Sequence, residues 1–171
     1  MSAAYEISPG SAADIPALKA AFLSLHEQHR ELSAVALTEP DGRAWAERIR
    51  TYKQYFTADQ ALLYLARIGG RCVGYAFTVL HPGCDDTFPL GAGYAELYTL
   101  AVLPESRGLG IGTALLDVVD AALADAAIPN LTVAVMAQND AAIRLYRHRG
   151  LVPGELIMYR IGGEMASASN S

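Results

Sequence analysis

The sequence predicts an α/β (α+β) fold, a mixed and mostly antiparallel sheet of about six to seven strands flanked by about four helices. Three observations predict it. β-type runs and helix-period apolar stretches follow one another in the order βααβββαβαβ. Two apolar runs meet at Gly69-Gly70, the mark of a tight hairpin, so the early strands are antiparallel. Later, a β-type run breaks into a glycine-rich turn that opens a long apolar-periodic helix, the connection of a crossover.

Each element has its own signal. Tyr5 to Ser8 reads as a first strand. Ser11 to Arg30 reads as a helix capped by Ser11 or Asp14, with Ile15, Leu18, Phe22 and Leu25 on one face. Pro40 to Phe56 reads as a second helix, with Trp45, Ile49, Tyr52 and Phe56 in step. Strands follow at Ala61 to Ile68 and Val73 to Leu80, then a loop from His81 to Gly93 rich in Pro, Gly and Asp. Tyr94 to Leu103 is the strand before the glycine turn. The helix after it runs to about Ala127, with Ile111, Leu115, Val118, Val119, Ala122 and Leu123 toward the core. Leu131 to Met136 is a strand, Asn139 to Arg149 a helix closed by Gly150 as its C′ residue, and Leu156 to Ile161 a last strand. Residues 1–161 form one domain, and Gly162 to Ser171 reads as a disordered tail.

Composition excludes several classes. At 171 residues the chain is one domain by length, large enough to bury its own core. Its 52% hydrophobic and 18% charged residues describe a soluble globule. A net charge of −5 and the lack of any Lys/Arg cluster argue against a nucleic-acid surface. The longest near-continuous apolar run, Cys72 to Leu80, is far short of a membrane span, and the N-terminus lacks the segments of a signal peptide. Cys72 and Cys84 give neither a disulfide framework nor metal spacing. A cytoplasmic protein without metal is expected; a homodimer is left open.

Residues 96–113 carry the chemistry. Strand, glycine turn and helix N-terminus together build an anion site, because the first helical N–H groups lack intrahelical partners and the helix dipole favours negative charge there. Gly108, Gly110 and Gly112 let phosphate oxygens approach, and Arg107 adds a cationic donor. A P-loop would end in Gly-Lys-Ser/Thr, and this stretch has no lysine. The dinucleotide fingerprint G-x-G-x-x-G would need glycine where Thr113 stands, and an acidic residue about twenty positions on, where Ala126, Ala127 and Ile128 lie. Arg/Gln-x-x-Gly-x-Gly/Ala after a strand ending in Val-x-Pro is matched by Arg107, Gly110 and Gly112 behind Val102-Leu103-Pro104. This stretch resembles the coenzyme A pyrophosphate loop of the GCN5-related N-acetyltransferase (GNAT) superfamily.

A second segment agrees. Asn139 and Tyr146 share a helix face, with Ile143 between them. Asn139 to Tyr146, followed by Gly150-Leu151, resembles that superfamily's Asn-x-x-Ala-x-x-Leu-Tyr segment. The resemblance covers about residues 5–161, with specific motifs in 96–146, and implies the GNAT acyl-CoA N-acyltransferase fold. It implies coenzyme A contacts at Leu100, Ala101, Val102, Arg107, Gly108, Leu109, Gly110, Ile111, Gly112, Thr113, Asn139 and Tyr146. Asn139 would contact the pantetheine arm and the Tyr146 hydroxyl would lie near the thioester sulfur. The pantetheine would pair like a strand with Leu100 to Val102, the Leu100 N–H polarising the acetyl carbonyl. Read from the residues alone, Asn139 is also an N-cap and Tyr146 a packing aromatic.

Aminolysis of a thioester requires a neutral amine, so a base with a pKa near 7 helps. Glu96 is the candidate, on an otherwise apolar strand and sharing a face with Tyr98 and Leu100, where burial should raise its pKa. The resemblance also extends to a branch of the superfamily with a base glutamate there; other members use water. His26 and His29 have no third ligand, and Ser106 and Thr113 no adjacent base. His81, Asp85 and Asp86 fit a cationic-substrate contact or a solvated turn, and Tyr52, Tyr55 and Phe56 an acceptor wall, a dimer contact or core. The expected function is direct acetyl transfer from acetyl-CoA to a primary amine of a small molecule or a protein. The alternative is a coenzyme A-binding regulatory module of the same fold.

Overall fold

A computed structural model describes residues 4–33, 39–83, 87 and 89–160. Cys84, Asp85, Asp86, Ile161 and the tail 162–171, on which sequence expectations fall, lie outside the described residues.

The elements are β1 (Glu6–Pro9), α1 (Lys19–Leu32), α2 (Asp41–Thr57), β2 (Ala61–Ile68), β3 (Arg71–Pro82), β4 (Gly93–Val102), α3 (Ile111–Asp125), β5 (Leu131–Thr132) and α4 (Asp140–His148). The strands form one sheet in the order β1-β2-β3-β4-β5. The first four are antiparallel and β5 joins β4 in parallel. Gly69 and Gly70 turn β2 into β3 with φ of +55° and +81°, the left-handed pair a two-residue hairpin needs.

Ser11 and Asp14 both cap the first helical segment: Ser11 Oγ accepts from Ala13 N, and Asp14 accepts from the Ser11 N–H at 2.9 Å. Pro16 lies inside this stretch, which runs as a 3-10 helix over Ala12–Leu18 before α1 begins. Proline has no N–H for an α-helical bond, so the single helix expected from Ser11 divides into two geometries.

Helices cover both sheet faces. On one face, Tyr52 of α2 stacks on Phe77 at 3.8 Å between centroids and reaches the hydroxyls of Tyr75 (3.1 Å) and Thr99 (2.7 Å). On the other, α3 buries Ile111, Leu115, Leu116, Val119 and Leu123, with Ile111 beside Gly74 of β3. Val118 and Ala122 are half-buried rather than core.

Two expected strands are shorter or missing. β5 pairs with β4 only at Ala95↔Leu131 and Glu96↔Thr132, so the strand expected to Met136 stops at Thr132. Residues 151–160 form no strand, and Val152, Leu156, Ile157, Met158 and Tyr159 are exposed. An alternating apolar run becomes a strand only where a neighbour supplies backbone partners. Among the described residues none stands beside 156–160.

Candidate active site

β4 carries the centre of the candidate site, and its alternation is interrupted. Thr99 stands opposite Phe77 and Leu97 opposite Thr78, so Tyr98 is an extra residue in β4, a bulge. Glu96 pairs with Val79 and Leu100 with Ala76, positions of β3 that face opposite sides. The expected shared face of Glu96 and Leu100 is thereby corrected: Glu96 lies on the α2 side and Leu100 on the other. Single-strand alternation cannot register an inserted residue.

The bulge coincides with an open backbone edge. β4 is paired with β5 through Glu96 and continues to Val102 without a strand on that side among the described residues. Leu100, Ala101 and Val102 lie on this stretch. Ala101 is buried, while Leu100 and Val102 are half-buried.

Glu96 is not enclosed by apolar side chains as expected. Its side chain is 31% exposed and Oε2 accepts a hydrogen bond from His81 Nε2–H at 2.9 Å. His81, expected in the loop, is a residue of β3, opposite Tyr94, whose ring it stacks on at 4.7 Å. The strand runs two residues past Leu80, and that extension aims the imidazole at Glu96.

The glycine turn has the backbone an anion cradle needs. Gly108 and Gly110 take φ of +75° and +81°, and Gly110 is the N-cap of α3, without a side-chain cap. A Cβ on Gly108 would meet nothing within 4 Å, so the approach is open. Ala114 N makes the first bond of α3, to Gly110 O at 2.9 Å, leaving the N–H groups of Ile111, Gly112 and Thr113 to face outward along the axis. Leu109 is exposed at the tip, and the buried Ile111 side chain anchors the turn to the core. Arg107 is folded back beside the turn, with Nε donating to Val102 O (3.1 Å) and Nη2 to Gln28 Oε1 (3.2 Å).

The family model described as the acetyltransferase (GNAT) family matches residues 25–151. The chain belongs to the GNAT family. It is 34% identical over 116 residues to a mycothiol acetyltransferase of Geodermatophilus obscurus, covering 66% of this chain and 36% of that protein. The mycothiol acetyltransferase of Thermobispora bispora is 32% identical over 126 residues, covering 71% and 41%. The chain thus spans about two fifths or less of the length of these relatives. Among solved structures, a GCN5-related N-acetyltransferase from Ralstonia eutropha superposes with a TM-score of 0.73 at 19% identity, covering 94% of this chain and 100% of that one. A protein from Clostridium acetobutylicum described as a predicted acetyltransferase, solved with acetyl-CoA, gives 0.70 at 14% identity over 92% and 96%. These similarities show the fold.

The second GNAT segment lies on α4. Asn139 is the N-cap, its Oδ1 accepting from Ala142 N at 3.2 Å. Tyr146 is half-buried against the core, and burial pushes its hydroxyl up to about 12. Leu145 comes within 3.8 Å of where a Gly112 Cβ would stand, which sets α4 beside the first turn of α3. Arg149 fastens the far end: it donates to Thr113 O at 2.7 Å and Asp120 at 3.1 Å, and also pairs with Asp117. Sequence reading missed Arg149 and the His81–Glu96 contact, since neither pair has a local spacing signal. Among the described residues no cluster of three His, Cys, Asp or Glu side chains could hold a metal.

Proposed function

We propose that this chain transfers an acetyl group directly from acetyl-CoA to a primary amine. The observation that carries the reading is the open β4 edge over 97–102, running into the glycine-capped N-terminus of α3. An acyl-pantetheine has amides to pair with such an edge and a pyrophosphate for the helix N-terminus. Gly108 to Thr113 would receive the phosphates on backbone N–H groups. Leu100 to Val102 would take the pantetheine, with the Leu100 N–H toward the thioester carbonyl, and the Asn139 side-chain amide N–H remains available to the pantetheine arm. Arg107 needs a rotation away from Val102 O to reach a phosphate.

Glu96 would take the proton of the ammonium while His81 holds its carboxylate in place. The freed amine attacks the carbonyl carbon, a C–N bond forms, the C–S bond breaks, and Tyr146 would return a proton to the departing thiolate, the second proton lost by the attacking nitrogen then restoring the tyrosine hydroxyl. A hydroxyl pushed up to about 12 stays protonated at neutral pH, as a donor must.

The test follows free thiol released from acetyl-CoA across a panel of small amines and peptides. Amine-dependent release supports the transferase. A melting-temperature rise with acetyl-CoA, but no release with any amine, would favour the coenzyme A-binding regulatory module.

A further inference from the structure

An open cleft of about 460 Å³ lies between α1, α2 and β4, beside Tyr98 and on the same side of the sheet as Glu96. Arg48 is among the residues that line it. The guanidinium carbon sits 5.0 Å from the ring centres of Phe22 and Tyr98 and 5.7 Å from that of Tyr52. One N–H donates to Thr99 Oγ1 at 3.0 Å. Consecutive strand residues ordinarily face opposite sides, so only the bulge lets Tyr98 and Thr99 both reach this one side chain.

Arg48 stands apart from the other charges here. The acidic groups lining the cleft already have cations: Glu39 pairs with Arg43 at 3.2 Å, and Glu47 with Arg50. Among the described residues no carboxylate lies within ion-pair distance of Arg48. A guanidinium has five N–H groups in a planar fork that matches a carboxylate. Aromatic faces hold it in place and partly shield it from water, which strengthens an anion contact. Burial, with Arg48 contributing, also lowers the His29 pKa, in keeping with uncompensated positive charge in this region.

We infer that Arg48 anchors the carboxylate of the acceptor, so that the substrate is an amine that also carries a carboxylate, a free amino acid. The inference rests on the acetyl-transfer reading and names its acceptor class. Thr99 and Glu96 stand opposite Phe77 and Val79, two residues or roughly 7 Å apart along β3. An α-amino acid, with a hydrogen bond of about 2.8 Å at each end, fits that interval with its ammonium toward Glu96 and its carboxylate toward Arg48. The Phe22 and Tyr98 rings beside Arg48 suit an apolar side chain. A polyamine or aminoglycoside would instead bring positive charge against Arg48.

The experiment compares L-phenylalanine with L-phenylalaninamide on wild type and on Arg48→Gln, with Arg48→Lys keeping the charge but not the fork. Thiol release gives kcat/KM; the wild-type-to-variant ratio for each acceptor cancels the difference between the two amines. Binding is read independently of turnover through Trp45, the chain's single tryptophan, whose ring lies 5.3 Å from that of Phe22. For the acid, Arg48→Gln should lose about ten- to a hundredfold in kcat/KM and affinity, the range of one charge-assisted hydrogen bond, with Lys between. For the amide the loss should stay within about threefold. Equal losses for both acceptors would make Arg48 a packing residue and overturn the inference, as would no loss, or no binding of the acid to wild type. Arg48-dependent binding of the acid without thiol release from any amine would leave this site standing and sink the transfer reading instead.

Discussion

In the proposed reaction Glu96 and Tyr146 handle protons in opposite directions, and their surroundings differ accordingly. Glu96 is partly solvated and held by His81, which leaves its other lone pairs for an ammonium. Glu96→Gln keeps the shape and removes proton acceptance. Its rate should fall most near neutral pH, and the deficit should shrink as the pH approaches the acceptor's own pKa, where neutral amine is abundant. Parallel pH–rate profiles for the two proteins would reduce Glu96 to a positioning residue. Tyr146 is half-buried against the core, and burial holds its proton to about 12. Tyr146→Phe should lose about ten- to a thousandfold in kcat with acetyl-CoA affinity little changed, within or near the usual range for a lost general acid. In wild type, deprotonation of Tyr146 should cause no loss of rate below about pH 10, since its folded value lies above the ordinary tyrosine value. A variant with wild-type kcat would leave Tyr146 a packing aromatic.

At the scale of elements, the candidate site is a junction of β4, the N-terminus of α3, and α4. Gly110→Asp sets a negative side chain at the N-cap, at a φ of +81° that aspartate tolerates better than most residues. Acetyl-CoA should raise the melting temperature of wild type and not of this variant, because a ligand of the folded state stabilises by mass action. Equal shifts would remove the anion-site argument. Arg149 ties α4 to α3 through Thr113 O, Asp117 and Asp120. Arg149→Met should therefore raise KM for acetyl-CoA several-fold while changing kcat less, because α4 carries Asn139 and Tyr146. A fall in kcat alone would assign Arg149 another role.

Across the whole molecule, buried tyrosines join the layers. Tyr52 ties α2 to Tyr75 and Thr99, on two different strands. Burial raises the hydroxyl pKa of both Tyr52 and Tyr75, that of Tyr75 strongly. Below about pH 10 folded and unfolded chains keep these protons alike, so stability is insensitive to them. Above it the unfolded chain releases protons that the fold retains, and stability falls as pH rises. The urea midpoint should be flat from neutrality to about pH 9, then drop, and Tyr52→Phe with Tyr75→Phe should lessen the drop. A drop of unchanged size in the double variant would place the alkaline weakness elsewhere.

The sequence by itself determined the fold class, the hairpin at Gly69-Gly70 and the order of the helices, because apolar periodicity and glycine turns are local properties. It also pointed to the family, through the glycine turn and the α4 segment, whose motifs are contiguous in the chain. Tertiary structure alone decided the rest. The Tyr98 bulge exists only in the register of β3 against β4, and it turns Leu100 away from Glu96 while gathering Tyr98 and Thr99 around Arg48. His81 reaches Glu96 because the β3–β4 pairing continues to Pro82↔Gly93. β5 ends at Thr132, and residues 156–160 form no strand, because a strand needs a partner edge as well as a pattern. Which side chains meet across elements depends on register and crossing, and neither is written in local spacing.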